Sequence, residues 1–267
     1  MDLFIPKAML SLAVLIPSTI LDIKTREVPD KFWIVGSIFS LAMTGLEILT
    51  GELSVLSLAV SIAVGSVLGL ALFYMGFFGG ADSKALMFLS LTIPKYPTWF
   101  RQMTVSTPIP VLTIFDNSLI LSLCYPLAIL TLNLTDLARG RNPFEGLQLK
   151  GPISTVVLLL TTRRVSLETL RRKVGYYPAE RPVKADGDVV RRPIYFMKAE
   201  ADKEELMKEL EPYVAKGLYT DGVLATPTIP FITFITAGLL LIPVGDLVLT
   251  LVSVSYTHLT LPTTERV

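Results

Sequence analysis

Asp22 closes the first long apolar run of the chain, residues 4–21, and Asp82 follows the third, residues 53–78. A carboxylate at the edge of a hydrocarbon core is costly, so its presence there points to a functional site. The second lies in the stretch Gly79-Gly80-Ala81-Asp82-Ser83-Lys84. Two carboxylates that share one proton can drive water onto an amide. The ionised one takes a proton from water while its protonated partner polarises the carbonyl. That chemistry requires neither a metal nor a nucleophilic serine. Gly79 and Gly80 would leave the backbone free and let an extended substrate come close. One aspartate at a helix end is commonly an interfacial cap; two on the same side of a bilayer make a candidate site.

Composition sets the frame for that pair. The chain has 267 residues, 51% hydrophobic and 18% charged, with mean hydropathy +0.58, which places it among polytopic membrane proteins. A net charge of +1 gives no reason to expect nucleic acid as a partner. The single cysteine, Cys124, lies inside the apolar run 109–134 and excludes an internal disulfide framework or a paired-cysteine zinc module. No metal or cofactor is implied, and no obligate protein partner. The N-terminal run carries only Lys7 as a positive charge and no small-residue cleavage pattern, so it reads as a retained helix. Residues 255–267 are unlike the rest of the chain and read as a non-native tail, which removes the only histidine, His258, from consideration.

A spanning helix needs about 20 apolar residues. Residues 3–21, 32–49, 53–78, 109–134 and 229–254 meet that length; residues 85–93, continuing through Pro94 to Phe100, are shorter and interrupted by proline. This last piece is either a short span or a half-helix followed by irregular backbone buried among neighbours. The expected fold is therefore an all-α polytopic membrane protein of six transmembrane helices, with a small α+β cytoplasmic domain inserted before the last helix. Its divisions are 1–135 (spans one to five, with both aspartates), 136–227 (the inserted domain) and 228–254 (span six).

Of the 24 Lys and Arg residues, 16 fall between Arg139 and Lys216. Asp202-Lys203-Glu204-Glu205 has the spacing of a helix capping box, followed by Leu206, Leu210, Tyr213 and Val214 on one face and stopped by Gly217. A shorter helix is expected over 166–174. Strands are expected over 153–160 and 194–197, with 218–224 a weaker candidate, because these stretches are rich in β-branched and aromatic residues. If the inserted domain faces the cytoplasm, the crossings place Lys24, Arg26, Lys31 and Lys84 inside as well, with Lys95 and Arg101 as exceptions. The same parity brings Asp22 and Asp82 to the cytoplasmic boundary.

Other polar residues read as structural. Asp116-Asn117, inside span five, is expected to bridge helices, with a place in a transport path as the alternative. Glu47 and Asp246 read as interfacial, Trp33 and Trp99 as interface anchors, and Lys24, Arg26 and Lys84 as headgroup anchors. Gly65 and Gly69 read as a close-packing stripe on span three.

The residues around the two aspartates resemble those of one family. Asp22-Ile23-Lys24-Thr25-Arg26-Glu27-Val28-Pro29-Asp30 is similar to the first signature of the type IV prepilin peptidases, and Gly79-Gly80-Ala81-Asp82 to the Gly-x-Gly-Asp element of these aspartyl proteases, with Ala81 where the motif has glycine and Lys84 two positions on. The archaeal preflagellin/prepilin branch fits best, having six spans and a soluble domain before the last. The resemblance implies a membrane-embedded aspartyl endopeptidase with Asp22 and Asp82 catalytic and Gly79, Gly80, Ala81 and Lys84 supporting. Its substrates would be prepilins or pre-archaellins in the lipid bilayer, cut between a short basic leader and an apolar helix. The competing class is a small proton- or cation-coupled transporter using Asp22, Asp82 and Asp116.

Overall fold

A computed structural model of the chain describes residues 2–185, 188–198 and 201–260. Among them, four helical stretches are long and apolar enough to cross a membrane. These are α1 (Phe4–Thr25), α2 (Lys31–Leu49), α3 (Val55–Tyr74) and a 29-residue rod built from α5 (Pro110–Ser122) and α6 (Cys124–Ala138). Large apolar side chains such as Ile38, Phe39, Leu56 and Val67 face outward from these helices, as a bilayer-facing surface requires.

At the centre sits α4 (Gly80–Thr92), only 13 residues long. At 1.5 Å per residue it covers about 20 Å, short of a hydrocarbon core of about 30 Å. The half-helix expectation is the one realised: Ile93, Pro94 and Pro97 continue as buried irregular backbone. Small residues let the neighbours close on α4. Gly65 and Gly69 of α3 face it directly, where an added side chain would strike Ser90 and the Ser83 backbone. The Ser83 hydroxyl donates to the Gly69 carbonyl at 2.9 Å, the Ser61 hydroxyl donates to the Ser90 carbonyl at 2.8 Å, and Ser40 pairs with Thr92 at 2.7 Å. The glycine stripe is thus a packing face, as its spacing predicts.

The last apolar stretch departs from the expected continuous span. It forms α10 (Phe231–Leu240), breaks, and resumes as α11 (Leu247–Thr260). Pro243 cannot continue a helix, and Gly245 adopts φ +111° with Thr104 packed against the position a side chain would take. The freed backbone is repaired by a neighbouring segment. Met103 and Thr104 amides donate to the Pro243 and Val244 carbonyls, each at 3.0 Å, and the Asp246 amide donates to Val105 at 2.8 Å. Asn117 completes the repair from α5, donating to the Gly245 carbonyl at 2.9 Å and accepting from the Leu247 amide at 2.8 Å. The tail set apart in the sequence begins within α11; residues 261–267 and the His258 side chain lie outside the described residues.

Three interfacial readings are corrected by burial. Asp246 is fully buried and caps α11 through the Leu249 amide at 2.9 Å. Glu47 is buried against the Lys7 ammonium and accepts from the Leu3 amide at 3.0 Å. Trp33 is a core residue beside Phe88, whereas Trp99 is exposed.

Between α6 and α10 lies a small strand-containing domain. An antiparallel sheet runs β1 (Arg163–Val165), β5 (Val223–Pro227), β2 (Tyr176–Pro178), and a separate hairpin joins β3 (Glu180–Ala185) to β4 (Asp188–Pro193). Both expected helices are present. In α8 (Leu167–Arg172) Ser166 accepts from the Thr169 amide at 3.2 Å, and in α9 (Lys203–Val214) Asp202 accepts from the Glu204 amide at 2.8 Å. The strand expected over 153–160 is instead α7 (Pro152–Thr161), and no strand forms over 194–197; the neighbouring strand β4 ends at Pro193. The third, weaker candidate overlaps β5 by two residues. Arg191 binds the hairpin to β5 from a buried position, forking onto Glu180 at 2.7 and 2.8 Å and onto Asp221 at 2.9 Å.

Replacing Asn117 with leucine keeps the volume but orphans the Gly245 carbonyl and the Leu247 amide. The expected cost is at least about 2 kcal/mol, read as a lowered midpoint of thermal unfolding in detergent. An unchanged midpoint would show that the break does not depend on this side chain.

Candidate active site at the α1, α4 and α10 ends

The two aspartates reach one place by different local routes. Asp22 lies in the last turn of α1, which ends on Arg26 in the left-handed conformation, φ 61°. Asp82 is the third residue of α4, and its carboxylate accepts the Gly79 amide at 3.1 Å. A carboxylate in a first turn is favoured there by the unpaired amides and the helix dipole. Both aspartates lie near the first turn of α10, and the two carboxylates are within electrostatic reach of the Ile232 amide, as Asp82 is of the charge on Asp22. First-turn amides have no partner inside their own helix, so they are available to acidic groups. The α1–α10 register is fixed by Thr19 and Thr236, 2.8 Å apart.

Below the pair the walls are apolar. Phe78 and Phe231, the residues before Gly79 and Ile232, pack with ring centroids 4.5 Å apart, and Phe115 closes behind Phe78 at 6.0 Å. One Asp22 oxygen, Oδ2, is buried without a hydrogen-bond partner. A buried carboxylate oxygen without a protein partner leaves a position for a water or for a substrate atom.

The supporting residues divide. Gly79 adopts φ −74°, ψ 164°, a conformation open to any residue, and a side chain there would lie 3.6 Å from the Asp82 carboxylate. The expected freedom of φ at Gly79 is therefore not used in this structure; what glycine leaves is open space in front of Asp82. Gly80 is the first residue of α4, and Ala81 packs against the main core. Lys84 binds Asp30 at 2.6 Å, so the end of the first signature is tied to the end of the second. Both side chains are exposed, so the pair aligns the segments more than it stabilises them.

Arg26 has a larger part than a headgroup anchor. Its guanidinium lies 3.9 Å from Asp22, four residues earlier on α1, and its charge also reaches Asp82. Its Nη2 donates to the Thr228 carbonyl, and Nη2 and Nε lie against Gly175, where a side chain would come within 3.0 Å of them. The Thr228 amide in turn donates to the Gly175 carbonyl at 2.8 Å, and the Tyr125 hydroxyl donates to the Thr228 carbonyl at 3.3 Å. The strand-containing domain is thereby joined to the aspartates through one arginine. Sequence reasoning missed this link and the Ile232 amide. The four-residue spacing of Asp22 and Arg26, and Pro227 and Pro230 ahead of an apolar run, were the available signals.

Asp116 does not join this site. It interacts with Asp246 at the far end of α10, and the ten residues of that helix span about 15 Å. Ile114, Ile235 and Leu239 fill the core between the two acidic pairs.

Comparison with known proteins agrees with the motifs. The profile of the type IV leader peptidase family matches residues 9–139, and that of the archaeal peptidase A24 C-terminus, type II, matches residues 154–247. The preflagellin peptidase of Methanocaldococcus jannaschii is 34% identical over 102 residues, 36% of this chain. The chain spans about two fifths of the length of that relative, 39%.

The proximity of the aspartates is open to direct measurement. In a Cys124→Ser background, Asp22→Cys with Asp82→Cys should be joined by a short bifunctional thiol reagent, while Asp22→Cys with Asp116→Cys should not. Equal yields from both pairs, read by mass spectrometry, would contradict the arrangement.

Proposed function

This chain belongs to the type IV leader peptidase family, and we propose that it is an aspartyl endopeptidase that removes the short basic leader of prepilins or pre-archaellins at the cytoplasmic membrane boundary. The observation that supports this most is that Asp22 and Asp82, sixty residues apart in the chain, come within electrostatic reach of each other beside an apolar wall. In this reading the chain crosses the bilayer six times. The four long spans are joined by α4 with its buried continuation and by the broken α10–α11 stretch. The strand-containing domain and both aspartates then face the cytoplasm, where most lysines and arginines lie.

The reaction follows from sharing one proton between two acids. The ionised carboxylate removes a proton from water, and the resulting oxygen attacks the scissile carbonyl carbon. The protonated partner gives its proton to the carbonyl oxygen. As the tetrahedral species collapses, the second carboxylate takes a proton back from one of its two hydroxyls, the first carboxylate passes its proton to the departing amine, and the carbon–nitrogen bond breaks. The pair ends with one proton, as it began. The open space at Gly79 admits an extended peptide beside Asp82, and the Phe78–Phe231 wall suits the apolar residues that follow a leader. The basic leader itself stays in water, so neither half of the substrate enters the wrong solvent.

The transporter reading needs a polar route between the two ends of α10. Apolar side chains occupy that interval, which supports the peptidase reading.

Membranes containing the protein should release the leader from a prepilin-type substrate. Asp22→Asn and Asp82→Asn should each slow the cut by at least about a hundredfold, with the substrate still binding. The rate should fall at low pH, where both acids are protonated and no base remains, and again at high pH, where both are ionised and no acid remains. Full cleavage by either variant, or proton flux in liposomes without cleavage of any leader, would remove this reading.

Arg26→Ala should lower cleavage by about tenfold, equivalent to ~1.4 kcal/mol of barrier, with Arg26→Lys intermediate. Leader-release rates at saturating substrate measure it, and an Arg26→Ala rate equal to wild type would leave Arg26 a purely structural link.

A further inference from the structure

A cleft between α7 and the β3–β4 hairpin has a lining that the aspartate site does not use. One part of it, about 620 Å³, is faced by Lys150, Arg181 and Arg192 together with Tyr195, and no acidic residue is among its walls. That volume lies in the range of small-ligand sites. A second part continues along α7 past Ile153 and Val157, and shares Lys150 and Tyr195 with the first. Neither Lys150, Arg181 nor Arg192 has an ion pair among the described residues. Lys150 stands over the Tyr195 ring at 5.6 Å, and Arg192 donates to the Gln148 side chain at 2.9 Å. Three cations thus converge where an apolar groove begins.

The position of α7 says what fills that groove. Asn133, buried in the span-forming rod, donates to the Leu159 and Thr162 carbonyls at 2.9 and 2.7 Å. Asn133 lies five residues before the end of α6, a depth of about 7 Å along that helix. The C-terminal end of α7 is therefore held level with the lower part of a membrane span, next to the outward-facing Leu134 and Leu137. One face of α7 packs inward through Leu158, which is fully buried, while Ile153 is 82% exposed and Val156 53% exposed. A short helix with an uncovered apolar face, fixed at the membrane border and flanked by lysine and arginine, has the properties of an interfacial segment.

We propose that this cleft binds an anionic phospholipid, with the phosphate on Lys150, Arg181 and Arg192 and an acyl chain laid along Ile153 and Val157 of α7. The Tyr195 ring sits between the two regions, where an amphipathic side chain suits the headgroup level. The inference requires only that the α5–α6 rod crosses the bilayer; it is independent of the reaction run at Asp22 and Asp82. A lipid occupant is favoured over free phosphate because the cationic part opens directly onto apolar surface.

Two measurements on the full chain test it. In a Cys124→Ser background, a nitroxide at Ile153→Cys is reconstituted in vesicles of phosphatidylglycerol and phosphatidylcholine. The label should collide more with oxygen than with a water-soluble nickel complex; the reverse order would overturn the proposal. Delipidated protein is then offered phosphatidylglycerol, phosphatidylcholine or inorganic phosphate, and retention is read by native mass spectrometry. Phosphatidylglycerol should be retained at least tenfold over phosphatidylcholine, and the combined Lys150→Gln, Arg181→Gln, Arg192→Gln variant should lose that preference. A control that removes equal charge elsewhere in the domain, Arg171→Gln with Arg172→Gln and Lys208→Gln, should keep it. Equal retention of the two lipids, displacement by equimolar inorganic phosphate, or equal losses in both triple variants would each overturn the proposal.

Discussion

Backbone that leaves a helix inside a packed core must find its hydrogen bonds within the protein, and α10 is shaped by that requirement at both ends. Its C-terminal end is repaired by Asn117 and by residues 103–105, which allows the helix to stop after ten residues. Its N-terminal end presents first-turn amides, and the Ile232 amide lies within electrostatic reach of the two aspartates. An uninterrupted helix would need no such partner at its centre, but it would also fix the slant and depth of its first turn by its own length. The break frees α10 to be placed by close packing alone. Gly238 provides that packing, pressed against the Ile114 carbonyl and Ser118 of α5. The geometry of the candidate site and the far-end repair are two consequences of one short helix.

The strand-containing domain enters the same account through its connections. Strand β5 runs straight into α10 through Thr228, Ile229 and Pro230, so whatever seats the sheet also sets where the first turn of α10 begins. Arg26 closes the loop from the other side, holding the Thr228 carbonyl while it faces Asp22. The domain is thus not an appendage to the membrane helices. Its central strand and a helix of the membrane bundle meet on one residue beside the candidate catalytic pair.

Much of this was legible in the chain. Asp22 and Asp82 stood out because ionisable groups beside long apolar runs are rare, and the parity of the runs placed them on one side. The small-residue stripe at Gly65 and Gly69 and both caps, Ser166 and Asp202, were also readable, since each rests on local geometry. What was hidden depended on tertiary partners. Residues 152–161 are rich in valine and leucine and fit a strand as well as a short helix; Pro152 at the first helical position was the discriminating signal. Glu47 and Asp246 read as interfacial because hydropathy places residues by depth and says nothing of Lys7 or of a broken backbone that needs a cap. The break itself was marked by Pro243 and Gly245, but two such residues near a run's end also fit a simple terminus.

Charge placement links the active-site reading to the lipid cleft. A leader with several positive charges is repelled by a domain rich in lysine and arginine unless those charges are engaged elsewhere. Arg191 and Arg164 are engaged within the fold, on Glu180 and Asp221. Lys150, Arg181 and Arg192 are not, and they gather in the cleft by α7 that the aspartate site does not use. An anionic headgroup there would neutralise the cluster while anchoring the domain that sets α10. In that arrangement the membrane does more than hold the helices: its headgroups complete the charge balance of the face on which the substrate arrives.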